Sequence, residues 1–291
     1  MALFGPAPNP MANPETSAVP PPVPTAPSES ERFLFDTNGY LVLENFLAPD
    51  HVARLLEATN RSVARRRAQV KADPSKARFT TQAGSSTRIL YILDDDPLFL
   101  EMMDWPAILP YVKGLFNPKF HHLASDAIVD FGADLMDRTG GWHRDGNDGG
   151  YDKIGFPVPF LQLKVGYYLT DMTQPGNANL MIVPGSHKSR HSPPVRDADG
   201  KECYPGAIQV CAPAGSAILF HNALWHTAAP FASPKHHRTM LYFAYEHTWM
   251  MACEETWNYS KDFYNRKLSP AQRKYFHGHN FEPMERRQGW G

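Results

Sequence analysis

Apolar and polar positions follow two different periods along this chain, one before residue 117 and one after it. Residues 40–46 form a short apolar run with the composition of a β-strand. A segment beginning at Pro49 then repeats apolar side chains at helical spacing, at Val52, Leu55, Leu56 and Val63. We therefore predict a strand followed by an amphipathic helix. We interpret the arginine cluster near the end of this helix as a solvated helix terminus; it comprises Arg61, Arg65, Arg66 and Arg67.

Residues 98–116 form a second stretch with helical spacing, which Pro106 and Pro110 interrupt. Beyond Asn117 the pattern changes to short apolar runs separated by turn residues, at 160–169, 180–183, 207–211 and 217–220. No repeat of fixed period is present, which argues against a propeller or a solenoid. The pattern favours a mainly β fold with flanking α-helices, arranged as an antiparallel double-stranded β-helix, the cupin-like jelly roll.

The first thirty residues differ in composition from the rest of the chain. They are rich in proline and have neither a basic start nor a continuous apolar segment, so we predict a disordered tail over residues 1–30 and not a signal peptide. Residues 31–291 are long enough for one domain with a full core. No stretch approaches the roughly 20 apolar residues that span a bilayer, and we expect a soluble, cytoplasmic protein.

Charge and cysteine content narrow the class of function. A net charge of −1 gives no electrostatic footprint for nucleic acid or an anionic membrane, so a small-molecule substrate is expected and neither of those partners is. Cys203, Cys211 and Cys253 show no Cys-x-x-Cys spacing and predict neither a disulfide framework nor a thiolate zinc site. The oligomeric state cannot be read from the sequence.

The strongest chemical signal is the run Gly140-Gly-Trp-His-Arg-Asp-Gly146. If this run is extended, His143 and Asp145 point to the same face and can offer an imidazole and a carboxylate to one metal ion. His226 ends an apolar run and is our candidate for the third ligand. Two histidines and one carboxylate on one face leave open positions that suit Fe(II). Arg238 begins the next apolar run, where its guanidinium can bind a carboxylate.

Several motifs, in this order, resemble the phytanoyl-CoA dioxygenase-like family of iron(II)- and 2-oxoglutarate-dependent oxygenases. They are Asn38-Gly-Tyr-Leu-Val-Leu-Glu-Asn-Phe-Leu47, Thr87-Arg-Ile-Leu-Tyr-Ile-Leu93, Trp142-His-Arg-Asp145, Ile182-Val-Pro-Gly-Ser-His-Lys188 and Leu219-Phe-His-Asn-Ala-Leu-Trp-His226, followed by Arg238. The resemblance implies Fe(II) as cofactor, held by His143, Asp145 and His226, with 2-oxoglutarate and O2 as co-substrates. Arg238 would bind the far carboxylate of 2-oxoglutarate, and Tyr167 would pack against or hydrogen-bond the same molecule. Gln162 and Lys164, which lie on the opposite face of that strand if its pleat is regular, are less favoured ligands.

The same resemblance guides the choice among competing residues. The gap from His221 to Arg238 is longer than the family uses, so His226 is favoured as ligand and His221 is expected to be a strand residue with a polar partner. We expect His236 and His237 at the surface and His187 in a turn, and two alternatives remain for His122: contact with the co-substrate or a structural role. Related halogenases replace the carboxylate ligand by Ala or Gly, so Asp145 predicts oxygenation. Ala228 stands where the family often has Ser or Gly, so the hydroxyl that would help Arg238 to bind 2-oxoglutarate is either missing or supplied by Thr227 or another residue.

The expected reaction couples oxidative decarboxylation of 2-oxoglutarate to hydroxylation, or a related C–H oxidation, of a small molecule. Residues 146–159 are expected at the rim of its pocket. The aromatic stretch from Trp249 to Tyr264 would make that substrate largely apolar if it lines the pocket, although such residues more often pack in a core. Two alternatives use the same residues: a non-catalytic jelly roll that binds a metal or ligand, and a zinc hydrolase with a bound water.

Overall fold

The structure is a computed structural model that describes residues 26–136, 141–146, 150–192, 204–250 and 259–276. Its helices are α1 (Glu29–Asn38), α2 (Pro49–Ala72), α3 (Pro97–Met103), α4 (Leu109–Tyr111), α5 (Gly132–Leu135) and α6 (Pro270–Arg273). Its strands are β1 (Tyr40–Leu43), β2 (Thr80–Ala83), β3 (Ser86–Leu90), β4 (Phe120–Phe131), β5 (Gln162–Tyr168), β6 (Leu180–Ile182), β7 (Ile208–Gln209), β8 (Ala217–His221), β9 (His226–Ala228) and β10 (His237–His247).

The strands form two antiparallel sheets, as the jelly-roll prediction requires. The larger sheet has seven strands in the order β1-β8-β5-β10-β4-β3-β2, and the smaller has three in the order β7-β6-β9. An apolar cluster joins the two sheets, because it contains Tyr168, Ile218 and Met240 from the larger one and Leu180 and Ile182 from the smaller. The space between the sheets is therefore the interior of the jelly roll.

A second and larger apolar cluster covers the outer face of the seven-stranded sheet. It packs the sheet against α2 through Leu55 and Ala58 and against α3 through Phe99 and Met102. Each fully buried side chain of this size contributes about 1.5–3 kcal/mol to folding. Pro106 lies in the predicted break, because α3 ends at Met103 and helix resumes only at Leu109. Pro110 does not interrupt the stretch, since it occupies the first turn of α4, where a proline is tolerated, and a π-helical turn continues from Val112 to Phe116.

The arginines of α2 are not a solvated terminus, as the sequence suggested, because they bind carboxylates on the loop before α3. Arg65 and Arg66 both reach Asp95, at 2.9 and 3.0 Å, and Arg61 reaches Asp96 at 2.9 Å. The sequence pattern did not show this contact, since its partners lie about thirty residues away. These ion pairs fix α2 over the seven-stranded sheet.

Most of the predicted N-terminal tail, residues 1–25, lies outside the residues that the structure describes. Ordered structure begins slightly before the predicted boundary, because Ser28 caps α1 and receives a reciprocal bond from Glu31. Within the residues that the structure describes, no helix combines the length and apolar composition needed to cross a membrane.

Candidate metal centre

The backbone around His143 is held by the end of the smaller sheet. His143 and His226 exchange a pair of backbone hydrogen bonds, each 3.0 Å long, and so extend this sheet beyond β9. The Asp145 N–H donates to the Asn222 carbonyl at 2.8 Å. Because the backbone is extended here, the side chains of His143 and Asp145 point to the same side of the chain, as the spacing predicted.

The three predicted ligands converge on one point between the sheets. Nε2 of His143 lies 3.9 Å from Asp145 Oδ1, and Nε2 of His226 lies 3.8 Å from Asp145 Oδ2. The ligand atoms of all three residues fall within 4.8 Å of one another. One imidazole nitrogen from each histidine and one carboxylate can therefore face the same ion.

Backbone carbonyls orient both imidazole rings. Nδ1 of His143 donates to the Gly141 carbonyl at 2.9 Å, and Nδ1 of His226 donates to the Leu224 carbonyl at 2.8 Å. Each neutral ring then carries its proton on Nδ1 and presents the Nε2 lone pair to the centre. A hydrogen bond of this kind on the far nitrogen is the usual arrangement of a metal-binding histidine.

Local charges keep the ligands in their metal-binding forms. Burial alone would raise the pKa of Asp145, but the nearby Lys164, His226 and His143 outweigh it and lower the pKa to about 2. Burial lowers the pKa of His226 to about 4. At neutral pH the carboxylate is thus ionised and the His226 imidazole is neutral.

One carboxylate oxygen of Asp145 has no hydrogen-bond partner, which indicates whether a metal ion fits at this centre. Oδ1 accepts a hydrogen bond from Lys164 Nζ at 3.0 Å, whereas Oδ2 is buried with no hydrogen-bond partner. A buried acceptor left without a partner costs about 1–3 kcal/mol. Since Oδ2 faces His226 Nε2, a cation bound to the three ligand atoms would satisfy it. The two-histidine, one-carboxylate donor set is that of non-haem Fe(II).

A cavity of about 150 Å³ adjoins the centre inside the jelly roll. His143 and His226 form one end of its lining, and three basic side chains, Arg88, Lys164 and Arg238, line it as well. Leu180 and Phe220 supply apolar surface. The cavity therefore combines a metal-binding end with positive charge, which suits a small dianion that also chelates the metal.

Arg238 is buried, with 4% of its surface exposed, and is already partly bonded. Nη1 donates to the Ala178 carbonyl at 2.6 Å, and Nη2 donates to Asp130 Oδ2 at 2.5 Å. Its Nε is buried without a partner. Because a guanidinium has five N–H donors, Arg238 keeps unused donors at the cavity. Asp130 and Ala178 hold its plane in position.

The structure does not bring Tyr167 to this cavity. Tyr167 lies in the larger apolar cluster, between Phe46 and Phe243, on the face of β5 that points away from the smaller sheet. Burial raises the pKa of its hydroxyl, which has no hydrogen-bond partner. The alternation of side chains along β5 therefore corrects the prediction for Tyr167: the cavity face belongs to Lys164.

Sequence reasoning missed Arg88 and Tyr242, which line the cavity, and ranked Lys164, which also lines it, below Tyr167. Arg88 binds Asp126 at 2.7 Å, and Lys164 lies 5.5 Å above the ring of Tyr242. Gly166 leaves room for that ring, since a Cβ at this position would come within 2.9 Å of it. These residues lie in strands whose pairing is non-local. Thr227 and Ala228 also line the cavity, and the Thr227 hydroxyl donates to the Ala228 carbonyl at 3.5 Å.

The competing histidines take other places. His221 faces away from the cavity and accepts a hydrogen bond from the Ala223 N–H through Nδ1 at 2.9 Å, in agreement with the polar partner predicted for it. His187 lies in a short helical turn, and His122 is buried among the rings of Phe243 and Phe276. His237 is exposed as predicted, while His236 is half-buried and bonds to the Gly176 carbonyl.

Trp249, the first residue of the C-terminal aromatic stretch, is exposed and stacks on His247, whereas the described aromatic residues from Tyr259 to Tyr264 pack in the core. Tyr259, Phe263 and Tyr264 are buried in the larger apolar cluster, away from the cavity. Residues 251–258 lie outside the described residues. On the segment that follows Asp145, Ile154 and Phe156 are exposed apolar side chains. They leave apolar surface on this segment, but none of its described residues lines the metal-centre cavity.

Comparisons with known proteins agree with this geometry. The model of the phytanoyl-CoA dioxygenase (PhyH) family matches residues 35–240, more than half of the chain. A comparison with curated protein sequences gave no match.

Solved structures share the fold. EctD from S. alaskensis with bound Fe has a TM-score of 0.61 at 20% identity, over 77% of this chain and 78% of that one. HygX from Streptomyces hygroscopicus with nickel and 2-oxoglutarate bound has a TM-score of 0.59 at 18% identity, over 78% and 89%. The epimerase SnoN in complex with Fe3+, alpha ketoglutarate and nogalamycin RO has a TM-score of 0.56 at 17% identity, over 78% and 86%.

Proposed function

The chain belongs to the phytanoyl-CoA dioxygenase family of Fe(II)- and 2-oxoglutarate-dependent oxygenases, and on this premise we propose that His143, Asp145 and His226 bind its iron and Arg238 its 2-oxoglutarate. The substrate is a small, largely apolar molecule, and the outcome is hydroxylation of a C–H bond. The observation that carries the proposal is the convergence of the three ligand atoms within 4.8 Å at the end of a cavity with three basic side chains.

Each residue has a distinct part in the proposed site. The two histidines present Nε2 lone pairs, because backbone carbonyls hold the protons on Nδ1. Arg238 directs its unused donors at the far carboxylate of 2-oxoglutarate, and Arg88 adds positive charge to the same cavity. Bound Fe(II) with 2-oxoglutarate and O2 supplies the oxidising chemistry, with succinate and CO2 as co-products.

Lys164 is a positioning residue in this proposal. Its ammonium holds Asp145 Oδ1 at 3.0 Å and leaves Oδ2 for the metal. Oδ2 would thus be the oxygen that holds the metal, and the hydrogen bond from Lys164 fixes the orientation of the carboxylate. Lys164 is itself only slightly exposed, so bulk water does not compete strongly for either partner.

Two observations support the proposed substrate and outcome. The exposed side chains of Ile154 and Phe156 place apolar surface on the segment that continues from Asp145. Asp145 fills the ligand position that is Ala or Gly in related halogenases, so no ligand position is vacated for chloride. Hydroxylation is therefore favoured over halogenation. Among relatives of this fold, SnoN is described as an epimerase and SnoK as a carbocyclase, so the product has to be identified directly.

The test is turnover of 2-oxoglutarate by the purified protein with Fe(II) and O2, followed as succinate, in the presence of a panel of apolar small molecules. We expect slow succinate formation alone and faster formation with some members of the panel, with one oxygen atom from 18O2 in the product. His143→Ala should form no succinate. Chlorinated product in the presence of chloride would overturn the assignment as a hydroxylase, and absence of any succinate would favour the non-catalytic alternative.

A further inference from the structure

A second cavity, of about 430 Å³, lies on the opposite side of β8 from the metal centre. Neighbouring side chains of β8 point to opposite faces, so that Phe220 lines the metal-centre cavity and His221 lines this one. We call it the α1 cavity, because Arg32, Phe35 and Asp36 of α1 form one wall. The proposed reaction uses none of its residues.

His221 presents an unused hydrogen-bond donor to the α1 cavity. Its Nδ1 accepts from the Ala223 N–H at 2.9 Å, so the neutral ring carries its proton on Nε2. No residue in the described part of the chain accepts a hydrogen bond from that nitrogen. The side chain is more than nine-tenths buried, with 8% exposed, and its ring is stacked on Phe160 with the centroids 4.3 Å apart. The ring is thus held in place at the wall of the α1 cavity, where its Nε2–H is available to an acceptor bound there.

His221 remains neutral over the physiological pH range. Burial lowers its pKa to about 3, and the neighbouring His187 and Lys188 act in the same direction. His187 also has its pKa lowered by burial. The donor in the cavity is thus an imidazole N–H and not an imidazolium, and it does not depend on protonation near neutral pH.

The rim of the α1 cavity carries a guanidinium without a carboxylate partner among the described residues. Arg32 donates through Nε to the Pro27 carbonyl at 3.2 Å, which leaves its terminal nitrogens free. The other two charges at the rim neutralise each other, since Lys188 pairs with Asp36 at 3.2 Å. The remaining charge of the cavity is therefore positive, and it lies over apolar walls that include Leu115 and Val158.

We propose that the α1 cavity is a binding site for a small amphipathic carboxylate, separate from the 2-oxoglutarate site. The carboxylate accepts the hydrogen bond from His221 Nε2, and the Arg32 guanidinium supplies positive charge at the mouth. The apolar body of the ligand packs against Phe35, Leu115 and Val158. A volume of about 430 Å³ accommodates a ligand the size of a phenylalkanoate.

The test is calorimetric titration of the folded, metal-free full chain with 4-phenylbutyrate, with and without 2-oxoglutarate. We expect one site per chain, which 2-oxoglutarate does not block. Leu115→Trp fills the cavity and should abolish binding, with Val158→Trp as a second filling variant in case the first does not fold. Melting curves establish that each variant is folded.

Two further variants separate this site from the metal centre. In His221→Asn the side-chain oxygen can still accept from Ala223 while the Nε2–H is lost, so binding should weaken about tenfold, as expected for one hydrogen bond to a charged group. Arg238→Gln should leave it unchanged. The amide 4-phenylbutanamide should bind more weakly than the acid. Absence of binding to the wild type, full binding to the cavity-filling variants, or loss in Arg238→Gln together with competition by 2-oxoglutarate would each overturn the proposal.

Discussion

At the scale of single residues, hydrogen bonds to the outer atoms of the three ligand side chains orient the metal centre. The carbonyls of Gly141 and Leu224 fix the protons of the two histidines, and Lys164 fixes one oxygen of Asp145. The ligand atoms are therefore oriented before any metal binds. The period of two along the chain was enough to predict that His143 and Asp145 share a face. The same period could not show which face of β5 lines the cavity, because both faces of that strand are buried.

Loss of a histidine ligand should remove metal binding. His143→Ala and His226→Ala should each raise the dissociation constant for Fe(II) by more than the roughly 100-fold that loss of an outer hydrogen-bond partner can cost. Anaerobic equilibrium titration measures this constant. His237→Ala, which changes an exposed histidine, is the matched control and should bind Fe(II) like the wild type. Full affinity in either ligand variant would contradict the assignment.

Replacement of Arg238 should affect both 2-oxoglutarate binding and folding. Arg238→Gln should raise the dissociation constant for 2-oxoglutarate about 10- to 100-fold, because a hydrogen bond to a charged group is lost. It should also lower the free energy of unfolding by about 1–3 kcal/mol, since the partly buried Asp130 loses its charged partner.

The double variant Arg238→Gln/Asp130→Asn separates these effects, with stability measured by urea unfolding and affinity by titration. Removing the unpaired charge should restore much of the stability without restoring 2-oxoglutarate affinity. Recovery of wild-type affinity in the double variant would place the carboxylate site elsewhere.

At the scale of elements, the jelly roll brings together residues that are far apart in sequence. His143 and His226 become backbone partners, and Arg238 faces Asp130 across β10 and β4. Helix α2 covers the outer face of the seven-stranded sheet, and Asp95 holds this helix in place through ion pairs with Arg65 and Arg66. The helical spacing of Val52, Leu55 and Val63 predicted α2 itself, but not this contact, which depends on where the loop after β3 lies.

Asp95 should make a measurable contribution to stability. Its carboxylate is largely buried and binds Arg65 and Arg66, so Asp95→Asn should lower the free energy of unfolding by about 1–3 kcal/mol. Glu57→Gln changes only an exposed pair with Arg61 within the same helix and should cost less than about 0.5 kcal/mol. Equal losses in urea unfolding would show that the contact does not hold α2 in place.

At the scale of the whole molecule, a helical layer and two sheets create one cavity inside the jelly roll and another outside the larger sheet. The fold class could be predicted because strand-like runs dominate after residue 117, and the motif order indicated the family. The strand order β1-β8-β5-β10-β4-β3-β2 could not, because most neighbours in it are distant in sequence. For the same reason, Arg88 could not be placed at the site, and Lys164 could not be preferred over Tyr167.

Buried histidines should make the metal-free protein sensitive to mild acid. Burial lowers the pKa of His221 to about 3 and that of His226 to about 4, whereas both would titrate near 6.5 when unfolded. The unfolded chain therefore takes up protons first, and stability should fall as the pH decreases from about 6.5 towards 4, by up to about 1.4 kcal/mol per pH unit for each group.

Urea unfolding between pH 6.5 and 4.5 tests this dependence while most carboxylates remain ionised. The His221→Asn variant should show a shallower decrease than the wild type, whatever its stability at neutral pH. An identical slope in the two proteins would mean that His221 is not held neutral by burial.

The most direct test of the proposed centre is anaerobic absorption spectroscopy of the metal-free protein after addition of Fe(II) and then 2-oxoglutarate. A weak visible charge-transfer band should develop only when both are present, since it reports 2-oxoglutarate chelated to iron. The band should be absent in His143→Ala, and in Arg238→Gln it should require more 2-oxoglutarate. Absence of the band in folded, iron-loaded wild-type protein would contradict the proposed 2-oxoglutarate site and would favour a non-catalytic jelly roll that binds a metal or ligand.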